Sequence, residues 1–285
     1  MKLAFLFSGG GALGAMQVGF LETLVRRGVA PDLLVGTSVG ALNGSVFALY
    51  PDMEGVERLK SIWLSQWAKE ILGGQTLSAV LRAAAGRNHV LSGKRLPTLL
   101  SEHLDNVAFE DLRLPFYVAA TELETGASTV FGSGPLIPAL LASSALPGIL
   151  PSVFIDGKEY IDGGVSSHCG IEIAHENGAT DILVLHCPHF LEIYSYGPLR
   201  PLTHAAITTL NRLCQYELEK YATLSNVYVL EPPVNDMSAY NSHRKGGIRK
   251  LIDDAIVWAE GYLDGPQGRS LMEAVSQRRP VKDAR

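Results

Sequence analysis

The chain has 285 residues, with 24 Lys and Arg against 29 Asp and Glu, a formal net charge of -5. Hydrophobic residues make up 47% and charged residues only 19%, below the roughly 25% typical of soluble domains. The apolar share excludes a disordered chain, and the negative balance argues against nucleic acid as a partner. Three cysteines, Cys169, Cys187 and Cys214, cannot build a disulfide framework and fit a reducing compartment. The apolar run at 3–7 is too short for a secretory signal core, so a cytoplasmic protein is expected. Residues 33–51 and 125–155 carry no charge at all. Glycines interrupt the first stretch and prolines the second too often for a membrane span. Both are expected to be buried, where charge is costly.

Residues 3–7 form a continuous apolar run closed by glycines, the pattern of a buried parallel strand. From Gly14 the period turns helical. Val18, Leu21, Leu24 and Val25 share a face, and Arg26-Arg27-Gly28 closes the helix. Residues 32–35 read as a second strand and 41–50 as a second helix. Strand, glycine turn and helix, twice over, imply a parallel sheet covered by helices. Residues 53–72 are amphipathic, with Val56, Leu59, Ile62, Trp63 and Trp67 at helical spacing, an ordinary core stripe. Residues 73–103 read as short helices over irregular chain, a candidate cap. Strands follow at 116–123 and 128–131, a helix at 135–146, and a hairpin turning at Asp156-Gly157. A buried strand at 181–186, a helix at 205–224, a last strand at 227–230 and a helix at 248–262 complete the pattern. One domain is expected over 1–265, with a frayed basic tail at 266–285.

Three places carry chemistry. Gly9-Gly10-Gly11-Ala12-Leu13-Gly14 matches the G-x-G-x-x-G dinucleotide fingerprint. That fingerprint demands an acid at the end of the second strand. Here the strand runs through Val35 into Gly36-Thr37-Ser38, and Asp32 lies at its wrong end. The loop has another use, since successive N–H groups beside a helix N-terminus suit an oxyanion. Gly36-Thr37-Ser38-Val39-Gly40 is G-x-S-x-G between strand and helix, which puts Ser38 on a sharp turn. Ile161-Asp162-Gly163-Gly164 sets an acid at a strand end. A carboxylate beside a weak nucleophile serves as base if desolvation raises its pKa.

These three elements, in this order, resemble the patatin-like phospholipase family. Ala120 to Gly126 is similar to the family's mid-chain strand and turn, and Ala142-Ser143 to Gly148 to its Ala-Ser-x-x-x-Pro helix end. The likeness is strongest over 1–187. It implies a three-layer α/β/α fold with a mainly parallel central sheet, a Ser–Asp dyad, and neither metal nor cofactor. By it, Ser38 is the nucleophile and Asp162 its base. Gly9, Gly10 and Gly11 form the oxyanion hole, with Gly14, Gly36, Gly40, Gly163 and Gly164 supporting the motifs. The substrate implied is a phospholipid, lysophospholipid or neutral acyl ester, with peripheral contact at a membrane. The family's loop usually carries a basic residue where Leu13 stands, which shifts weight toward neutral esters. After Asp-Gly-Gly the family often shows Asn and Pro, where this chain has Val165-Ser166-Ser167-His168. The alternatives are an acyltransferase of related fold, against which the acid of Asp162-Gly163-Gly164 speaks, and a non-catalytic lipid-binding or regulatory protein. His168-Cys169 and His186-Cys187-Pro188-His189 hint at a metal but match no zinc spacing. Leu140, Leu141 and Leu146 are candidates for the floor of an acyl pocket.

Overall fold

The computed structural model describes residues 1–65, 95–104, 106–147, 150–167, 169–187, 200–232 and 247–277. Its strands are β1 (Leu3–Phe7), β2 (Leu33–Thr37), β3 (Phe116–Glu122), β4 (Ser128–Phe131), β5 (Val153–Ile155), β6 (Lys158–Asp162), β7 (Asp181–Leu185) and β8 (Asn226–Leu230). Strand β1 pairs in parallel with β2 and β7, β2 with β3, and β7 with β8. Strands β4 and β6 add to β3 antiparallel, and β5 to β6. The expected hairpin is present, with Asp156 at φ 49° and Gly157 at φ 81°, as a two-residue turn with both central residues at positive φ requires.

Two-residue alternation sorts the strand side chains onto two faces. Leu3, Phe5, Phe7, Leu34, Leu183 and Leu185 point to one side, and Ala4, Leu6, Leu33, Val35, Ile182 and Val184 to the other. The first side is covered by α1 (Ala15–Arg26), α2 (Val39–Leu49), α3 (Met53–Leu64), α4 (Arg95–Leu104), α5 (Leu136–Ser143) and α8 (Gly247–Asp264). The second is covered by α6 (Ile171–Glu176) and α7 (Arg200–Tyr221). The layers are therefore α/β/α around a mainly parallel sheet, as the sequence implies.

Three expectations are corrected. The segment read as a frayed tail is helical as far as Ser276: Pro266 opens α9 (Pro266–Ser276) and Leu271 is fully buried. This helix is neutral, with Arg269 set against Glu273; the basic residues of the tail follow it and lie outside the described residues. The charge-free stretch at 125–155 is buried only in part. Strand β4 lies at a sheet edge with alternate residues exposed, and Phe154 on β5 is 70% exposed. Lastly, Cys169 and Cys214 are joined in a disulfide across 45 residues of sequence, because α7 packs over the loop that leads into α6. Trp67, His168, His189 and most of 73–103 lie outside the described residues. Among the described residues, no helix is long and apolar enough to cross a membrane.

Candidate active site

The meeting of two strand ends builds the site. On β3, Ala119 pairs with Thr37 of β2, and the next residue, Ala120, pairs with Asp162 of β6. Strand β4 pairs with the same two alanines and so holds the opposite edge of β3. Strands β2 and β6 therefore run toward each other along one edge, carboxy end to carboxy end. Ser38 leaves the end of β2 where Asp162 ends β6.

Ser38 sits at the N-terminus of α2 with φ 56° and ψ -127°. A non-glycine residue holds such a backbone only where its surroundings impose it. Those surroundings are specific. The Ser38 N–H donates to Ser143 Oγ at 2.9 Å, and the Ser38 carbonyl accepts from Ala41 N–H at 2.9 Å. A Cβ on Gly40 would stand 2.1 Å from the Phe7 carbonyl oxygen, so only glycine lets α2 start this close to β1. Gly36 likewise lies against the Ala41 backbone.

Asp162 is buried. Its Oδ1 accepts from Gly164 N–H at 2.8 Å, and its carbonyl accepts from Thr121 Oγ1 at 2.9 Å. A Cβ on Gly163 would meet the Ala119 carbonyl oxygen at 2.2 Å, which fixes glycine after the acid. Oδ2 is buried without a well-formed hydrogen bond, yet the Ser38 hydroxyl acts on the same carboxylate. The two side chains are neighbours short of an aligned hydrogen bond, a spacing common in unliganded sites. Burial pushes the Asp162 pKa up to about 6, against the smaller opposing pulls of the Ser38 hydroxyl and the Gly164 N–H.

The glycine loop passes from β1 into a 3-10 turn at Gly11–Gly14 and then into α1. Gly11 takes φ 55°. Gly10 lies against the Cys187 side chain, and Gly14 against Val39 at the start of α2. Among the described residues, the backbone hydrogen bonds engage none of the N–H groups of Gly9, Gly10 and Gly11. A chain of buried polar side chains holds this loop. Trp63 Nε1 donates to Asn43 Oδ1 at 2.9 Å, and Asn43 Nδ2 donates to Gly14 O at 2.9 Å and Gln17 Oε1 at 2.8 Å. Gln17 Nε2 then donates to the carbonyls of Ser8, at 2.9 Å, and Leu185, at 3.1 Å.

A family model described as patatin-like phospholipase matches residues 5–175, more than half of the chain. The chain belongs to the patatin-like phospholipase family. Patatin-like phospholipase domain-containing protein 6 of Homo sapiens is 30% identical over 185 residues, which cover 64% of this chain and 13% of that protein. An uncharacterised NTE family protein of Mycobacterium bovis is 30% identical over 164 residues, 58% of this chain and 43% of that one. This chain thus spans less than half the length of these curated relatives. Among solved structures, VipD of Legionella pneumophila aligns with a TM-score of 0.47 and 12% identity, covering 92% of this chain and 67% of that one.

Within the patatin-like frame, Leu13 is buried in the core under the glycine loop. Leu140 has no exposed surface, whereas Leu141 is half-buried and Leu146 is exposed. Cys187 is a buried free thiol whose N–H donates to Ser8 Oγ at 2.8 Å. Its pKa is raised far above the ordinary value, by burial foremost. Gln17, Asn43, Trp63 and Ser143 were absent from the sequence-derived site. Asn43 and Gln17 do carry a signal: each is a lone amide inside an otherwise apolar helical stretch. Ser143 carries none beyond its place in the Ala-Ser-x-x-x-Pro segment.

Proposed function

We propose that this protein is a serine hydrolase that cleaves carboxylic ester bonds of lipids through a Ser38–Asp162 dyad. Ser38 Oγ attacks the ester carbonyl while Asp162 accepts its proton. The tetrahedral oxyanion rests on N–H groups of Gly9, Gly10 and Gly11, each donor worth roughly 2.7–4 kcal/mol in the transition state. Asp162 returns the proton to the leaving alcohol, and the acyl group stays on Ser38. A water molecule activated by Asp162 then releases the carboxylic acid. One observation supports this reading: the ends of β2 and β6 converge on β3, which brings Ser38, on its strained turn, near the buried Asp162 carboxyl, whose pKa burial raises to about 6. The buried, uncharged Leu13 supports neutral acyl esters as the preferred substrate class.

Hydrolysis of p-nitrophenyl esters of graded chain length tests it. Ser38→Ala and Asp162→Asn should each lower kcat by about 10³-fold or more. A fluorophosphonate should label Ser38 in the wild type. Wild-type turnover in Asp162→Asn would remove the dyad, and unlabelled Ser38 with intact turnover would remove the nucleophile.

A further inference from the structure

Ester hydrolysis leaves Cys169 and His186-Cys187 without a role, and the fold sends these cysteines to different places. Cys169 stands in the loop that leads from the Asp162 turn into α6. His186 follows the last residue of β7, and Cys214 lies on α7. Two sulfurs and an imidazole nitrogen from these residues all lie within 4.8 Å of one another, and all three residues are buried. Cys187 is no part of the group. Its Sγ donates to the Leu13 carbonyl at 3.4 Å beneath the glycine loop.

The sulfurs of Cys169 and Cys214 are joined. A disulfide is one of two states open to such a pair. Once reduced, the same sulfurs can lose their protons to a metal ion. Two thiolates and an imidazole form a set that suits zinc and disfavours magnesium or calcium. Two thiolates also cancel the charge of a divalent ion. That matters here, because Cys169 and Cys214 belong to an apolar cluster with Val35, Ala119, Ile171 and Val184, where a net charge is costly.

We propose that Cys169, Cys214 and His186 form a redox-switched zinc site, loaded when the sulfurs are reduced and replaced by the disulfide when they are oxidised. In the oxidising direction the two thiolates lose two electrons and form the S–S bond. A peroxide accepts those electrons with two protons and leaves as two water molecules, and the zinc ion departs. In the reverse direction a dithiol supplies two electrons and two protons, and zinc binding displaces the two thiol protons. Both states tie the loop after Asp162 to α7.

Full-length protein is reduced with a phosphine under nitrogen, loaded with Zn²⁺, desalted and assayed for metal by emission spectroscopy. The wild type and Cys187→Ser should each retain about one zinc per chain, and Cys214→Ser about a tenth of that or less. His186→Ala should bind zinc about tenfold more weakly or worse. Hydrogen peroxide added to the loaded wild type should release the zinc in step with the loss of two thiols and a Cys169–Cys214 crosslinked peptide. The proposal is overturned if the reduced wild type holds no more zinc than Cys214→Ser, or if His186→Ala binds as tightly as the wild type. It is overturned equally if peroxide forms the crosslink while zinc stays bound. That last measurement uses only the wild type and decides the matter even where a variant fails to fold.

Discussion

At the scale of single residues, Asp162 sets chemistry against stability. Its pKa is about 6 in the folded chain, against an ordinary value of 3.8. Between those values the folded state holds a proton that the unfolded state has released. Stability therefore falls as pH rises from about 4 to about 6 and stays at the lower level above. Two units correspond to about 3 kcal/mol. Activity runs the other way, because only the ionised carboxylate accepts the Ser38 proton. In a pH series, kcat/KM should climb with unit slope and level off above about pH 6. A profile flat from about pH 4 to 8 would exclude Asp162 as the base. Asp162→Asn removes the ionisation and keeps an acceptor for Gly164 N–H. Thermal unfolding at about pH 8 should show this variant more stable than the wild type by about 1–3 kcal/mol, with little difference near pH 4.

At the scale of elements, the site depends on how helix starts are held. The Ser38 N–H leaves β2 at the mouth of α2, and its hydrogen-bond acceptor comes from the end of α5. Ser143→Ala leaves that N–H unpaired, at a cost of about 1–3 kcal/mol, at the point where the serine turn is strained. Its kcat should fall by about 10–100-fold with KM nearly unchanged. A Ser143→Ala enzyme with wild-type kcat would show that the turn holds without it. The amide chain linking α3, α2, α1 and the glycine loop makes a second case. Asn43→Leu strands the Trp63 N–H and the Gln17 amide oxygen together and removes one of the donors to the Gly14 carbonyl, which keeps its intrahelical bond. Urea unfolding should show about 3 kcal/mol lost or more. Combined with Gln17→Leu, the loss should be smaller than the sum of the two single losses, since both residues serve one network.

At the scale of the whole molecule, the family match ends at residue 175 but the core does not. Helix α1 is buried on nearly all sides, and α8 supplies much of that cover. Gly19 of α1 approaches so closely that a Cβ there would stand 2.3 Å from the Ile252 carbonyl oxygen. Arg27 pairs with Glu260 at 3.0 Å and Asp264 at 2.6 Å along the same seam. Strands β7 and β8 complete the sheet beyond β1, with β1 and β7 paired over their full length. A fragment of residues 1–187 retains every motif yet loses β8 and α8. Without Leu251, Ile252, Ala255, Ala259 and Leu263 over α1, the fragment should give no cooperative thermal transition and no ester hydrolysis. A fragment that melts cooperatively would show that the motif-bearing part is a folding unit of its own.

The strands, the glycine turns between strand and helix, and the three motifs are legible in the amino-acid order. Each of these is written within a few neighbouring residues. Apolar runs, helical spacing and glycine demand are local, and they survive without knowledge of partners. Tertiary structure alone decided that β2 and β6 meet end to end on β3, because strand register is a property of pairing. It decided that Ser143 holds Ser38, that residues 266–276 pack as a helix through Leu271, and that much of the charge-free 125–155 region reaches the surface. The sulfurs are the clearest case. Cys169 and Cys214 stand 45 residues apart with a Cα separation of 5.5 Å, and their contact follows from how α7 crosses the sheet. Low charge in a sequence reports a preference for burial, whereas burial itself depends on which neighbours the fold brings to cover each face.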